Sequence, residues 1–362
     1  MFPAHRKIRV MVVDDSVLAR TMITQGLSQH NRIEIVGTAF NAMDAMQKVE
    51  KLRPDVITSD VEMPGMSGIE FLRQLLPRHP LPVILVSSLD LRVFDALSAG
   101  AVDFVRKPEP GKNDAFIRSL TTKVIASAGA RVRPRPGIAT PAAKPAGGVR
   151  LPTTANSPAV PTLPPLGNRP SMDNVIIGLG ASTGGTEATL DVMRRLPADT
   201  PGMLIVQHMP TGFTQMYADR LNRLCQMEVR EAKTGDEIRR GLALLAPADF
   251  QMRIVRSGSR YTVKCTAGEK VSGHRPSVDA LFLSMADQVK CKMAGIIMTG
   301  MGRDGAEGLL KMRQAGAYTI GQDKESSVVY GMPMVAYNIG AVQVQGSCED
   351  IAGILLRQLQ KW

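Results

Sequence analysis

The 362-residue sequence predicts two α/β domains, each a doubly wound, mostly parallel sheet, the second with an inserted β-hairpin region. Three observations predict it. Short apolar, β-branched runs alternate with segments of helical spacing over residues 8–125 and again over 171–362. Those runs end in polar or small residues, as the carboxyl ends of parallel strands do where function gathers. Between the halves, from Arg131 to Pro170, ten of forty residues are proline, six are Lys or Arg and none is acidic. Such a composition buries too little surface to offset the entropy of ordering, so it reads as a flexible basic linker. The expected division is 1–125, a linker over 126–170, and 171–362.

In the first half, residues 8–13 (I-R-V-M-V-V) read as a buried strand ending in Asp14-Asp15. Residues 16–27 have helical spacing, 33–38 form a second strand, and 41–52 form a helix stopped by Pro54. Residues 55–59 make a short strand ending in Asp60, followed by a helix over 70–76. A strand over 83–86 ends in Ser87-Ser88, a helix spans 94–99, and a fifth strand over 102–106 ends in Lys107-Pro108. Three carboxylates converging at strand ends repel one another unless a cation sits among them. Hard oxygen ligands with open positions suit Mg²⁺, which binds through one or two carboxylates plus a phosphate. Lys107 would then pair with a phosphoryl oxygen and Ser87 donate to it. Taken alone, Asp14-Asp15 reads more readily as a helix cap than as a metal site.

In the second half, residues 175–185 (V-I-I-G-L-G-A-S-T-G-G) read as a buried strand turning sharply into a helix near Thr186. From Gly180 to Gly184 they fit G-x-S-x-G, which lifts a serine oxygen out of a sheet. A phosphate-binding glycine loop or a turn kept for packing has the same look on this stretch alone. A helix over 187–196, a strand over 203–207 ending in His208, and a helix over 213–224 follow. Hairpin signals lie at 242–245, 252–256 and 261–265. After a helix over 278–289, a strand over 294–299 ends in Gly300-Met301-Gly302-Arg303-Asp304-Gly305, and the last helix spans 349–360. Ser182, His208 and Asp304 thus stand at comparable strand ends. A serine needs a base, and the base needs a partner that fixes its tautomer. The Thr183 N–H, next in chain, is where an oxyanion donor is expected. His274 is a rival base. A dinucleotide site would want an acidic residue at the end of the second strand, where Gln207-His208 stands instead.

Composition excludes several classes. Hydrophobic residues make up 44% and charged ones 21%, as in globular domains. No apolar run approaches the roughly 20 residues of a membrane helix, and the N-terminus leads into a strand, not a signal-peptide core. A cytoplasmic protein with no membrane insertion is expected. Cys225, Cys265, Cys291 and Cys348 lack zinc spacing and read as reduced core residues. The net charge of +11 lies largely in the linker, and no nucleic-acid motif accompanies it.

The motifs V-V-D-D-S, D-V-E-M-P-G-M-S-G and F-V-R-K-P resemble those of response-regulator receiver domains, which implies a flavodoxin-like fold for residues 8–125. The resemblance implies Asp60 as phosphoacceptor, Asp14 and Asp15 holding Mg²⁺ with it, Ser87 and Lys107 as switch hydroxyl and phosphate-contacting lysine, and Phe104 as aromatic switch. Together with G-A-S-T-G-G, V-Q-H-M-P, H-R-P-S-V-D, T-G-M-G-R-D-G and S-S-V-V-Y-G-M-P, the chain resembles the CheB family of chemotaxis methylesterases. That resemblance implies Ser182 as nucleophile, His208 as base, Asp304 as orienting acid, and Thr183 and Met301 lining the site. It implies hydrolysis of glutamate methyl esters and deamidation of glutamines on chemoreceptors, and a CheA-type histidine kinase as phosphodonor. It also implies a receiver that covers the triad until phosphorylated. The alternatives are a phospho-signalling adaptor that only binds, and a nucleotide-dependent oxidoreductase.

Overall fold

The computed structural model describes residues 6–88, 92–109, 111–132, 162–167 and 169–362. The first unit holds β1 (Ile8–Val13), β2 (Ile33–Ala39), β3 (Val56–Asp60), β4 (Val83–Ser87) and β5 (Asp103–Arg106). They form one sheet in the order β2-β1-β3-β4-β5, every neighbouring pair parallel. β3 and β4 are buried along their whole length, as strands with both faces covered are; β4 reads Val-Ile-Leu-Val before Ser87, whereas β3 is apolar only at Val56-Ile57 before Thr58-Ser59-Asp60. Helices α1 (Val17–Ser28) and α5 (Asn113–Ser127) pack together, as do α2 (Ala42–Leu52), α3 (Gly68–Leu75) and α4 (Arg92–Ser98) in series. Three of these helices start at a side-chain cap: Ser16, Asn41 and Ser67 accept from the N–H three residues on. Asp14 and Asp15 are therefore not the caps of α1.

The second unit contains β6 (Val175–Ala181), β7 (Gly202–Gln207), β8 (Glu228–Glu231), β9 (Leu242–Leu245), the hairpin β10 (Gln251–Ser257) and β11 (Arg260–Thr266), then β12 (Lys292–Ile297), β13 (Tyr318–Gln322) and β14 (Val344–Gly346). Seven of these strands form a sheet in the order β14-β13-β12-β6-β7-β9-β8, parallel throughout. Among the described strands, antiparallel pairing joins β10 to β11, and single antiparallel bridges join Glu237 to Thr262 and Val271 to His274. Residues 242–245, read from sequence with the hairpin signals, join the parallel sheet as β9. The order places a topological switch point between β6 and β12: the chain leaves β6 toward β7 and returns on β6's other side. Helices α6 (Gly185–Met193), α7 (Phe213–Leu224), α8 (Val278–Gln288), α9 (Ala306–Gln314), α10 (Met332–Asn338) and α11 (Ile351–Lys361) complete the unit.

One buried apolar cluster runs through both units and includes Phe94 and Phe104 from the first and Phe213 and Tyr217 from the second. Before β6, Leu166 is buried, and the Leu166 and Gly167 N–H groups donate to the Asp199 carboxylate at 3.1 and 2.9 Å. The expected linker falls chiefly on residues 133–161, which lie outside the described residues. Cys225, Cys265 and Cys291 are half-buried thiols; Cys348 is buried and its Sγ donates to Ala188 O at 3.4 Å. Among the described residues no helix is long and apolar enough to cross a membrane.

Candidate active site

β6 delivers Ser182 at its carboxyl end, where the strand must stop and a helix begin within three residues. The turn is held from both sides: Ser182 N–H donates to Thr299 O at 2.9 Å, and Gly185 N–H and Gln207 Nε2 donate to Ser182 O at 2.7 and 2.9 Å. The left-handed residue of the turn is Gly184, with φ 76°, and a Cβ there would stand 2.5 Å from Val328 Cβ. Positive φ thus falls at Gly184, two residues beyond the serine, and not at Ser182 itself. Gly300, after β12, is a close approach of another kind: a Cβ on it would lie 2.7 Å from Ser182 Cβ.

His208 follows β7, in register with the end of β6, and Asp304 lies in the loop after β12. His208 Nδ1 is 3.1 Å from Ser182 Oγ, and His208 Nε2 is 2.8 Å from Asp304 Oδ2. A carboxylate only accepts, so Nε2 carries the hydrogen and Nδ1 is left to accept from the serine hydroxyl. This ring orientation is the reverse of the chymotrypsin arrangement, where Nε2 faces the nucleophile. The His208 side chain is 10% exposed and that of Asp304 is fully buried.

The support of Asp304 was not apparent from sequence. It does not cap α9, whose cap is Gly305. Instead its carboxylate lies across the N-terminus of α8, accepting from Ser277 Oγ at 2.7 Å, Val278 N–H at 2.8 Å and Asp279 N–H at 2.9 Å. Helix N-termini offer unpaired N–H groups and favour negative charge. Burial alone would raise the pKa of Asp304; the His208 hydrogen bond and charge, with the Asp279 N–H and Ser277 hydroxyl, outweigh it and hold it below the ordinary carboxylate value. The motif H-R-P-S-V-D carried this signal, because Ser277 before an apolar helical run is an N-cap. His274 stacks on His208 but sits 4.0 Å from Asp304 at Nδ1.

In the first unit, the strand ends converge as expected. Lys107 Nζ is 2.5 Å from Asp60 Oδ2 and 3.8 Å from Asp14 Oδ2. Burial raises the pKa of Asp60 above the ordinary value, with Asp15 adding to the effect and Lys107 opposing it. Asp14 is raised likewise, by burial first and by its acidic neighbours, again against Lys107. Asp14 Oδ2 and Ser87 Oγ are buried with no hydrogen-bond partner.

Among the described residues, two groups bring three ligand atoms within 4.8 Å of one another: Asp14, Asp15 and Asp60, and His208, His274 and Asp304. The first fits a divalent cation, being all hard oxygen, with mutual repulsion to offset and an orphaned carboxylate oxygen. The second does not. The two imidazole planes are nearly parallel, at 4°, so their in-plane lone pairs do not converge on one point, and the Asp304 oxygens are already taken by N–H and O–H donors.

The two sites are joined by contacts that sequence reasoning missed. Asp103 on β5 is buried. Its Oδ2 accepts from Thr183 Oγ1 at 2.6 Å and its Oδ1 pairs with Lys123 at 2.6 Å. Gly184 N–H donates to Val102 O at 3.1 Å. Phe104 packs on Phe213 with centroids 4.6 Å apart, and Phe94 stacks on Tyr217 at 5.7 Å. Arg220 ion-pairs with Glu187 at 2.8 Å and donates to Ser98 Oγ at 2.7 Å. The first unit therefore lies directly against the turn that carries Ser182.

Residues 177–355 match the family model described as CheB methylesterase, and residues 10–118 match that of the response regulator receiver domain. A protein-glutamate methylesterase/protein-glutamine glutaminase of Syntrophomonas wolfei is 47% identical over 94% of each chain. A protein of the same name from Syntrophotalea carbinolica is 46% identical over 96% of each. Among solved structures, the Thermotoga maritima CheB methylesterase catalytic domain is similar at 33% identity and a TM-score of 0.49, covering 51% of this chain and 97% of its own.

Proposed function

The chain belongs to the CheB methylesterase family, with a response-regulator receiver domain in the same polypeptide, and from that we propose how its own residues act. Its activity is that of a protein-glutamate methylesterase and protein-glutamine glutaminase, and its substrates are side chains on chemoreceptors. Ser182 Oγ attacks the ester carbonyl carbon while its proton passes to His208 Nδ1. The negative oxygen that forms is met by the Thr183 and Met301 N–H groups. Nδ1–H then protonates the departing methoxide, giving methanol and an acyl-enzyme on Ser182. A water molecule loses a proton to Nδ1 and attacks that acyl group, freeing the glutamate side chain as a carboxylic acid that ionises to solvent, and Nδ1 returns its proton to Ser182. A glutamine side chain gives the same acyl-enzyme with ammonia leaving. Throughout, Asp304 stays ionised and balances the imidazolium. The single observation that carries this reading is the chain Ser182 Oγ–His208 Nδ1, His208 Nε2–Asp304 Oδ2, at 3.1 and 2.8 Å.

For the receiver we propose Asp60 as phosphoacceptor for a CheA-type histidine kinase, with Asp14, Asp15 and Asp60 holding Mg²⁺. When bound, Mg²⁺ would neutralise charge on the incoming phosphoryl group. Lys107 and Ser87 would contact the phosphoryl oxygens. Phe104 and Asp103 lie on the same strand that leads to Lys107 and abut Phe213 and Thr183. We assign this abutment as the closed state, which phosphorylation opens by favouring a different arrangement of that strand. The protein acts in the cytoplasm, at the receptors' cytoplasmic helices. A fluorophosphonate probe tests the enzyme against a binding-only adaptor: the former predicts labelling of Ser182 that His208→Ala abolishes, and no labelling of Ser182 refutes it.

A further inference from the structure

The base lies beneath a second imidazole. The rings of His208 and His274 have centroids 3.9 Å apart and planes 4° from parallel. The His274 side chain is 41% exposed whereas that of His208 is 10% exposed, so His274 is the ring that meets solvent and His208 the ring it covers.

His274 is itself held on several sides. Val271 and His274 exchange both backbone hydrogen bonds, at 3.1 and 2.9 Å, across a two-residue turn. Ser272 and Gly273 both have positive φ, 50° and 82°, as a tight hairpin turn of this hand requires. His274 Nδ1–H donates to Ser272 O at 2.9 Å, which fixes the rotation of the ring. Ser272 Oγ donates to Asp279 Oδ2 at 2.6 Å, and the Asp279 N–H donates to Asp304 at 2.9 Å. The turn under His274 and the acid behind His208 are thus anchored on one helix terminus, that of α8.

His274 is poorly placed to be a base. Its Nδ1 hydrogen is committed to Ser272 O. Burial first, then the charge of His208, push its pKa down to about 4, against Asp304. The charged groups facing it are His208 after β7, Asp304 before α9 and Lys270 ahead of its own turn. At neutral pH it is an uncharged flat ring.

We propose that His274 is a positioning residue, whose ring clamps the His208 imidazole in the plane that joins Ser182 Oγ to Asp304 and keeps solvent off the face it covers. The torsion that turns an imidazole about its Cβ–Cγ bond is broad and soft. A base that must take a proton from one oxygen and hand it to another at the same nitrogen loses rate when it swings out of line. The proposal rests on the triad reading above.

The test is methanol release by the full-length, phosphodonor-treated enzyme with His274→Ala and His274→Phe. His274→Ala is expected to lower kcat by about ten- to a hundredfold, the scale of a misplaced catalytic group, with KM little changed. His274→Phe, which keeps a flat ring without nitrogens, is expected to recover most of kcat and to leave the pH profile where it was. Thermal melting of each variant reports folding; if His274→Ala does not fold, His274→Phe decides alone. A His274→Ala enzyme with wild-type kcat overturns the clamp. So does a folded His274→Phe enzyme that is inactive, because the ring nitrogens would then be required. Release that persists in Ser182→Ala refutes the triad and the clamp with it, whereas triad-dependent release indifferent to residue 274 refutes the clamp alone.

Discussion

Phe94→Ala is the perturbation that separates an inhibitory interface from incidental packing. The ring is 2% exposed. Across the interface it stacks on Tyr217 at 5.7 Å and 18°, and the Arg220 guanidinium carbon lies 5.7 Å from its centroid. Its partner within its own unit is Phe104, edge-on at 6.5 Å. Contacts inside the receiver are lost from closed and open states alike and cancel. The cross-interface share is about 0.5–1.5 kcal/mol for the aromatic pair and about 0.5–1 kcal/mol for the cation–π contact. Their sum, roughly 1–2.5 kcal/mol, shifts the closed-to-open ratio by about fivefold to sixtyfold, since 1.4 kcal/mol is a factor of ten. Methanol release by unphosphorylated Phe94→Ala protein is expected to rise toward that of phosphorylated wild type, and the stimulation by a small phosphodonor is expected to shrink by the same factor. Phosphorylation of Asp60, followed separately, is the control for a folded receiver. An unchanged stimulation factor in a receiver that still accepts phosphate would refute the idea that this surface holds the enzyme off.

Three further outcomes follow from the same geometry. Ser277→Ala removes one donor from Asp304 and the cap of α8, and is expected to cost about 1 kcal/mol of stability. The Asp304 pKa is depressed, so its contribution is present above the unfolded carboxylate value and lost as pH falls through the folded one. With a donor gone the folded value rises toward the unfolded one, and melting curves should show an acid loss that is smaller than in wild type and complete at a higher pH. Asp14→Asn is expected to raise the melting temperature at neutral pH without metal. A raised carboxylate costs stability once ionised and costs nothing below its unfolded value, so the gain should vanish in acid; added Mg²⁺ should stabilise wild type and not the variant. Asp103→Asn weakens the charged hydrogen bond to Thr183 and should raise basal, unphosphorylated methanol release several-fold, read in the same assay.

Much of the fold was legible because both sheets are parallel and covered. Buried strands such as β4 and β6 are nearly unbroken runs of apolar and small residues that stop at Ser87 and Ser182, polar groups that the topology then places at the sheet edge. β8, with the sequence Glu-Val-Arg-Glu, is an edge strand whose exposed residues hide it, and β9 was grouped with the hairpin because four apolar residues carry no sign of their partner. Strand ends made Ser182, His208 and Asp304 candidates, with His274 a rival base, and the family resemblance chose among them. Which imidazole nitrogen faces the serine depends on a ring rotation, and the cradle of Asp304 depends on α8 arriving from some twenty-five residues earlier in the chain. Asp103, read only as part of a strand, gains its meaning from a residue eighty positions away. Contacts of that range are set by packing, not by local pattern.

The most direct measurement is methanol release from membranes bearing methylated chemoreceptors, with wild type, Ser182→Ala and His208→Ala, each with and without a small phosphodonor. Wild-type release that rises with phosphodonor, and that falls by several orders of magnitude in both variants, is the predicted result. Substantial release by Ser182→Ala, or a wild-type rate unmoved by phosphorylation of Asp60, would contradict the account.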